Sequence, residues 1–427
     1  MDIKRAVKQI IPAFALRGVA NGFHLVEAIA ANVRYGFPAK GMQVIMVTGT
    51  NGKTTTATFL GSILKSAGKK VGVLTTAYFE VNGQRFDNDQ NYTVLPHAVF
   101  YQKLAEMKKH GVDTLVLEVT SHGIDQHRFW GVPCEVAVMT NLTQDHLDYH
   151  GTMEEYAAVK ARLFQRKPRF IVLNHDDEWF NYYDQFPPGE QSITYGTHMD
   201  ADVQLKGAKL HREGTQAHVS VDHQTDLELV VHLPGKFNVY NAMAAASAAY
   251  VLHVKTEAIQ DGIEAVESIS GRQQRVDAGQ NFEIVVDYAH TPDALEQLLS
   301  TLKQMSKRGR VILVFGACGD RDKTKRPIMG EIAADYADKI IVTDEESYDE
   351  DPGEIRKMIM DGIVQAKAED KTIEIADRRE AIKKALEMAH RADTVVITGM
   401  GHEQFRVVKG EKIPWNDAKV VEELLDA

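Results

Sequence analysis

Two cysteines in 427 residues, Cys134 and Cys318, with no CxxC pair, are too few for a disulfide scaffold or a Cys-rich zinc site, and they fit a reducing cytosol. No apolar run approaches the roughly 18 residues that a membrane helix needs. The stretch IPAFAL near the N-terminus is short, is followed by charge and has no clear A-x-A site, so no cleavable signal peptide is read there. A cytoplasmic location is expected. Positive charge is also in deficit: 49 Lys and Arg against 60 Asp and Glu give a net of −11, so no nucleic-acid partner is expected. The deficit is uneven. Residues 1–40 hold Lys4, Arg5, Lys8, Arg17, Arg34 and Lys40 against Asp2 and Glu27, a net of +4, which leaves −15 for the rest. Repeats of solenoid period and low-complexity tracts are absent.

What is present is the mixture of a soluble globular chain, 44% hydrophobic and 26% charged. At about 150 residues per domain, the length allows two or three domains. The runs VIMVT (44–48), VGVLT (71–75), TLVLEV (114–119), VAVMT (136–140) and FIVL (170–173) alternate with helical patterns. Near-continuous apolar strands separated by helices predict a parallel sheet covered on both faces. From about 192 to 233 the pattern changes to period two, which predicts antiparallel strands at one edge of that sheet. An Ala-rich helix (238–253) follows. A second α/β series begins after SGRQQR (270–275), with FEIVVDY, RVILVFGA, KIIVTD, TIEIAD and DTVVITG. The expected division is a helical segment 1–40, with Leu25, Val26, Ile29 and Val33 on one face, then domains 41–270 and 271–427.

The sharpest motif is VTGTNGKTTT (47–56), directly after an apolar strand and at the opening of a helix. There the backbone N–H groups of Gly49, Thr50, Asn51 and Gly52 and a helix N-terminus converge on phosphate oxygens. Lys53 reaches the terminal phosphates, and a Thr54 or Thr55 hydroxyl binds Mg²⁺. The spacing departs from GxxxxGK[ST], because position 47 is valine. The alternative is an ordinary strand-to-helix turn, which has no need of the lysine and the threonine run.

That motif and six others, in order, resemble the Mur ligase family, and most closely its MurE type, which adds the third residue of the peptidoglycan stem peptide. The others are EVTSHGIDQHR (118–128), TNLTQDHLDYHGTMEEYAAVKARLF (140–164), GKFNVYNA (235–242), DYAHTPDAL (287–295) with GDRDKTKRP (319–327), and GMGHE (399–403). The resemblance implies an α/β fold: a P-loop-containing central Mur ligase domain with a parallel-sheet core, and a Rossmann-like C-terminal domain. It implies an ATP-dependent, amide-forming ligase acting through an acyl phosphate, with Glu118, His146 and Lys160 as Mg²⁺ ligands. Lys160 carries the role as a carbamate formed with CO₂. Ser121, His122 and Arg128 fall in the acceptor segment, Asn238 at adenine, Arg272 and Asp287 at nucleotide phosphate and ribose, and Gly399 and Glu403 at the incoming amino acid. Tyr288 and His290 are as readily packing residues as ligand contacts. The chemistry agrees with the residues: an amide from a carboxylate needs activation, and the site must hold several negative groups, which calls for Mg²⁺ and cationic side chains.

Three departures from the pattern stand out. About 47 residues precede the phosphate loop, too few for the UDP-binding domain of MurE-type enzymes. The acceptor is then a UDP-linked, lipid-linked or other muropeptide-like carboxylate. The basic N-terminal segment suits a membrane surface or a partner helix, against a plain packing helix; a monomer is expected. Second, where diaminopimelate-selecting enzymes carry Asp-Asn-Pro-Arg, this chain has Glu345-Glu346-Ser347-Tyr348, within an acidic stretch of Asp344, Glu345, Glu346, Asp349, Glu350 and Asp351. Such a pocket favours a cationic donor, lysine or ornithine, against a solvated acidic loop. Third, Met400 replaces the lysine of GKGHE. The rivals are a ligase of the same fold outside the cell wall, folylpolyglutamate- or cyanophycin-synthetase-like, and a non-catalytic ATP-binding subunit.

Overall fold

A computed structural model describes residues 13–88, 95–306 and 309–426. Lys4, Arg5 and Lys8 lie outside them. Eleven strands form the first sheet: β1 Gln43–Thr48, β2 Val71–Leu74, β3 Tyr78–Val81, β4 Gln84–Asp87, β5 Thr114–Glu118, β6 Val136–Met139, β7 Phe170–Asn174, β8 Gln191–Gly196, β9 Val203–His211, β10 Gly214–Val221 and β11 Thr225–Val231. Their order is β11-β10-β9-β8-β7-β6-β1-β5-β2-β3-β4. The run from β2 through β9 in that order is parallel. Antiparallel pairs extend both ends, β3–β4 beyond β2 and β10–β11 beyond β9. The period-two stretch supplies the edge predicted for it, with β9–β10 and β10–β11 antiparallel, but it begins with β8, which pairs in parallel with both β7 and β9.

The apolar runs are continuous because both sheet faces are covered. Ile45, Val47, Val116, Val136 and Val138 face one core, with the helices Lys53–Ser66 and Lys236–Val251. Val44, Met46, Leu115, Leu117, Ala137 and Met139 face the other, with the helices His97–Lys109 and Met153–Phe164. The Ala-rich helix is buried nearly all round, which small side chains permit at close helix–helix distance.

A second sheet holds β12 Gln274–Arg275, β13 Glu283–Asp287, β14 Val311–Phe315, β15 Lys339–Val342, β16 Thr372–Glu374 and β17 Thr394–Thr398, in the order β12-β13-β17-β14-β15-β16. All but β12 run parallel. A hairpin, β18 Phe405–Val408 and β19 Glu411–Pro414, follows. The two sheets meet through Asn51 Nδ2 donating to Asp293 at 2.7 Å and Gln144 Nε2 donating to Asp322 at 3.1 Å.

The helix Ala13–Arg34 corrects the expected apolar face. Ala28, Ala31 and Asn32 are buried, whereas Val26 and Val33 are 63% and 56% exposed. Polar anchors set its rotation: Arg17 Nε and Asn21 Nδ2 donate to buried Asp125 at 2.8 and 2.9 Å, and Asn32 Nδ2 donates to the Trp130 carbonyl. Small residues then meet the body and the valines turn outward. No helix among the described residues is long and apolar enough to cross a membrane.

Candidate active site

The loops after β1, β5 and β6 leave the same edge of the first sheet, where the strand order turns about β1. They open onto a cleft of about 630 Å³ whose far wall comes from the second sheet and the hairpin. Gly49 and Gly52 have φ of +150° and +81°. A Cβ on Gly49 would come within 1.8 Å of Thr140 Oγ1, and one on Gly52 within 2.1 Å of Asn241 Oδ1. Only glycine fits both the torsions and the space. The loop is braced by Thr50 N–H donating to the Asn141 carbonyl and Asn51 N–H donating to Asn141 Oδ1, both at 2.9 Å. The helix begins at Lys53, so its first-turn N–H groups have no partner within the helix.

Lys53 Nζ donates to the Thr50 carbonyl at 2.6 Å. Burial, with Arg272 nearby, lowers its pKa. Thr54 Oγ1 donates to Glu118 at 2.8 Å, and Arg272 reaches the same hydroxyl at 3.3 Å. Glu118 also accepts from Thr76 N–H at 3.0 Å. Thr55 is buried and does not line the cleft; Thr54 does. Asn238 and Asp287 lie behind the wall. Asn238 Nδ2 donates to the Pro234 carbonyl and Gln273 Oε1, and Asp287 accepts from Gln273 N–H and Ala289 N–H.

Lys160 comes from the helix Met153–Phe164, which Thr152 caps, and it points inward rather than to solvent. It is 1% exposed, and its Nζ donates to the Gly49 carbonyl at 2.7 Å. Burial and the neighbouring Lys53 charge hold its pKa well below the usual lysine value. His146 has φ of +56°, a strained setting for a residue with a Cβ. Its Nε2 lies 3.3 Å from Asp145, and its buried Nδ1 has no partner. Burial lowers the His146 pKa far below its ordinary value, against the pull of Asp145.

Sequence reasoning missed two residues here. Buried Lys325 donates to buried Asp145 at 3.1 Å, and His290 Nε2 lies 3.7 Å from the same carboxylate. Burial alone would raise the Asp145 pKa, but His146, Lys325 and His290 pull it well below the usual carboxylate value. Removing either member of such a buried pair strands a charge at a cost of about 3–5 kcal/mol. Both residues sat inside quoted motifs; no spacing could pair positions 180 apart.

Ser121, His122 and Arg128 line the cleft. Ser121 Oγ meets His150 Nε2 at 2.9 Å, and the His122 and His146 rings lie 4.8 Å apart. Burial and Arg321 lower His122 to about 4. Arg128 is in no ion pair with a carboxylate in the described structure: its Nε and Nη2 hold Gln126 Oε1, and its Nη1 holds His97 Nδ1 at 2.9 Å.

The opposite end is acidic. Glu345 and Glu346 are buried in the wall, and Glu403 accepts from Tyr288 at 3.1 Å. Glu346 accepts from Val407 N–H and from Tyr348, each at 3.1 Å. Glu345 Oε2 is buried without a partner and abuts Gly399, whose Cβ would sit 2.2 Å away. Burial raises Glu345 to about 7, despite Arg378. Burial, then Glu346, raises Glu403. The rest of the acidic stretch faces elsewhere. Asp344 pairs with Arg356, Glu350 with Arg326, and Asp351 caps the helix Pro352–Gln365. Arg321 lines the cleft, whereas fully buried Arg326 does not.

Residues 47–249 match the Mur ligase middle domain, and residues 271–401 match the Mur ligase, glutamate ligase domain. A UDP-N-acetylmuramoyl-L-alanyl-D-glutamate–2,6-diaminopimelate ligase of Geobacillus kaustophilus is 40% identical over 403 residues, 92% of this chain and 81% of that relative. The ligase of the same name from Aquifex aeolicus is 38% identical over 397 residues, 93% of this chain and 80% of the relative. A solved structure of a ligase of that name is similar at a TM-score of 0.62 and 35% identity, covering 91% of this chain and 79% of that one. A Mycobacterium tuberculosis folylpolyglutamate synthase is similar in fold, at a TM-score of 0.73 and 18% identity over 88% of this chain and 92% of that one.

Proposed function

The chain belongs to the Mur ligase family, and we propose that its cleft joins a diamino acid bearing a cationic side chain to the carboxylate of a muramyl-peptide acceptor. It is an ATP-dependent acid–amino-acid ligase of the MurE-like type, acting in peptidoglycan precursor synthesis. In this reaction class the acceptor carboxylate becomes an acyl phosphate, the donor amine attacks it, and ADP and phosphate leave. The observation that supports the donor assignment is the cluster of Glu345, Glu346 and Glu403 in the cleft lining, which outnumbers the one arginine beside it, Arg321.

The residues present fit nucleotide and Mg²⁺. Two glycines clear a cradle at the helix N-terminus, Thr54 and Glu118 pair oxygen donors beside it, and His146 Nδ1 is a buried atom without a partner. Bound ATP and Mg²⁺ supply the phosphoryl group and neutralise charge on it. Thr54, Glu118, His146 and Lys160 would hold the metal; Lys53 and Arg272 would hold phosphate. Asn238 and Asp287 would act from behind the wall by holding Gln273, the residue after Arg272 at the start of the second sheet.

Lys160 suits carbamylation. Its lowered pKa increases the share of neutral amine, whose nitrogen bonds to CO₂ carbon with loss of one proton, giving an anion that would bind metal. Ser121, His122 and Arg128 would orient the acceptor carboxylate, with Arg128 exchanging His97 for it. Glu345, Glu346, Glu403 and the Gly399 turn would hold the donor's ammonium groups.

The relatives are named for 2,6-diaminopimelate, which carries a second carboxylate; three glutamates in the donor wall favour lysine or ornithine instead. The acceptor is left between UDP-linked and lipid-linked muropeptides. Phosphate release against a matrix of amino acids and both acceptor types tests the reading. ATP turnover requiring both a muropeptide and a basic amino acid is expected. Turnover with neither, or with glutamate on a folate, would overturn it.

A further inference from the structure

Outside the reaction cleft, the helix Ala13–Arg34 meets the start of the helix His97–Lys109 through three side chains. His24 and Glu27 are one helical turn apart, and His97 is the first residue of its helix. Glu27 Oε2 lies 3.2 Å from His24 Nδ1 and 3.2 Å from His97 Nδ1. The three ligand atoms all lie within 4.8 Å of one another.

The tautomer of His97 decides what this geometry means. Its Nε2 lies 3.3 Å from the Gln126 carbonyl, which only an N–H can satisfy. Nδ1 therefore carries a lone pair, and that lone pair faces a carboxylate oxygen. Two acceptors at 3.2 Å need a cation between or beside them. Here Arg128 supplies one, with Nη1 at 2.9 Å from Nδ1. The two 3.2 Å spacings also suit another cation. Zinc bonds of about 2.0–2.1 Å in a tetrahedral site place neighbouring ligand atoms about 3.3 Å apart. Two imidazoles and one carboxylate are a nitrogen-rich set that suits zinc rather than Mg²⁺. The Gln126 carbonyl behind His97 is the kind of outer partner that orients a ligating histidine.

We propose that His24, Glu27 and His97 form a zinc-class divalent metal site, separate from the reaction cleft, in which the ion displaces Arg128 from His97. The ion ties the N-terminal helix to the body, and its fourth position is open to water. Because Arg128 is the competing cation, metal binding and the acceptor arginine are linked: an ion at His97 releases the guanidinium toward the cleft. His24 is a quarter exposed and Glu27 about two-fifths exposed, so an ion has a path from solvent.

The test is calorimetric titration of the untagged full chain with zinc chloride in metal-free buffer, with Co²⁺ as a visible-absorption probe. One equivalent of zinc with tetrahedral Co²⁺ absorption is expected. His24→Gln and Glu27→Gln, both at accessible positions, are each expected to weaken binding at least about tenfold without shifting the unfolding temperature of the metal-free protein. Arg128→Gln is expected to bind zinc more tightly than wild type, because the competitor is gone; a merely structural contact would not give that gain. His146→Ala serves as the control for the cleft histidines and is expected to bind as wild type does. No zinc binding by the wild type, binding unchanged in both ligand variants, or binding lost in His146→Ala would each overturn the proposal.

Discussion

The two ends of the cleft are built in opposite ways. The phosphate end comes from one short segment, Gly49 to Thr54, with Glu118 added from the end of β5, His146 from the loop after β6 and Lys160 from the helix Met153–Phe164. Its charges are cations held near backbone carbonyls and one carboxylate. The donor end is assembled from Glu345, Glu346 and Glu403, residues about 60 apart on different loops, and its charges are carboxylates held against their own ionisation. The first end is legible locally because a phosphate cradle is a backbone shape, and glycines at fixed spacing write that shape into the sequence. The second is a matter of which loop acids turn inward, and the tertiary wall decides that.

Breaking the phosphate end is expected to have the largest effect. Lys53→Ala should lower kcat/KM for ligation by about 10²–10³-fold, since a cation is lost where charge develops in a water-poor site. Steady-state phosphate release checks it; near-normal turnover would remove the loop from the mechanism. Lys160→Ala should come next, with a loss of about 10²-fold that short carboxylic acids partly restore by standing in for the carbamate. A truncation whose defect formate and acetate leave untouched would count against an anion at that position.

Changes at the donor end should be smaller and should fall on binding. Glu346→Gln is expected to raise KM for lysine or ornithine about tenfold with little change in kcat, the scale of one charge-assisted hydrogen bond. The same variant should narrow the preference over meso-diaminopimelate in a competition assay. If meso-diaminopimelate is the preferred donor of the wild type, other cations hold its distal carboxylate. Arg321 is then the one to test, because Arg326 is sealed in its pair with Glu350.

The smallest effect is on stability. Glu345 has an ordinary value of 4.5 and is raised to about 7 in the fold. Between those values the folded chain binds more protons than the unfolded one, so this residue costs stability as pH rises through that window and the loss levels off above it. Glu345→Gln should therefore flatten the dependence of Tm on pH between about 4.5 and 7, and should be relatively more stable at pH 8 than at pH 5. Thermal unfolding in a pH series reads this directly. A Tm difference independent of pH would mean that Glu345 is ionised at every pH in the fold.

Other residues divide along the same line. The central parallel strands of both sheets, β1, β2, β5 to β7 and β13 to β17, could be read from apolar runs, because a sheet covered on both faces needs continuous Val, Ile and Leu. The face of the N-terminal helix could not, because Arg17 and Asn21 reach for Asp125, about a hundred positions away, and rotate Val26 and Val33 outward. Lys160 reads locally as a surface lysine; only the packing of its helix against β1 buries its amine beside Gly49. Asp145 and Lys325 escaped notice although each lies within a quoted motif, since their pairing exists only once the two sheets meet.

By itself, the sequence determined where most strands and helices lie, the glycine cradle and the order of the motifs. Each of these depends on local backbone torsions or on periodicity within a few turns of chain. The tertiary structure alone decided which charges face one another. It set Lys53 beside Lys160, Lys325 against Asp145, and three glutamates around one end of the cleft. Electrostatic energy acts through space and is strengthened by burial, so it is settled by distance and desolvation, neither of which is written in sequence separation.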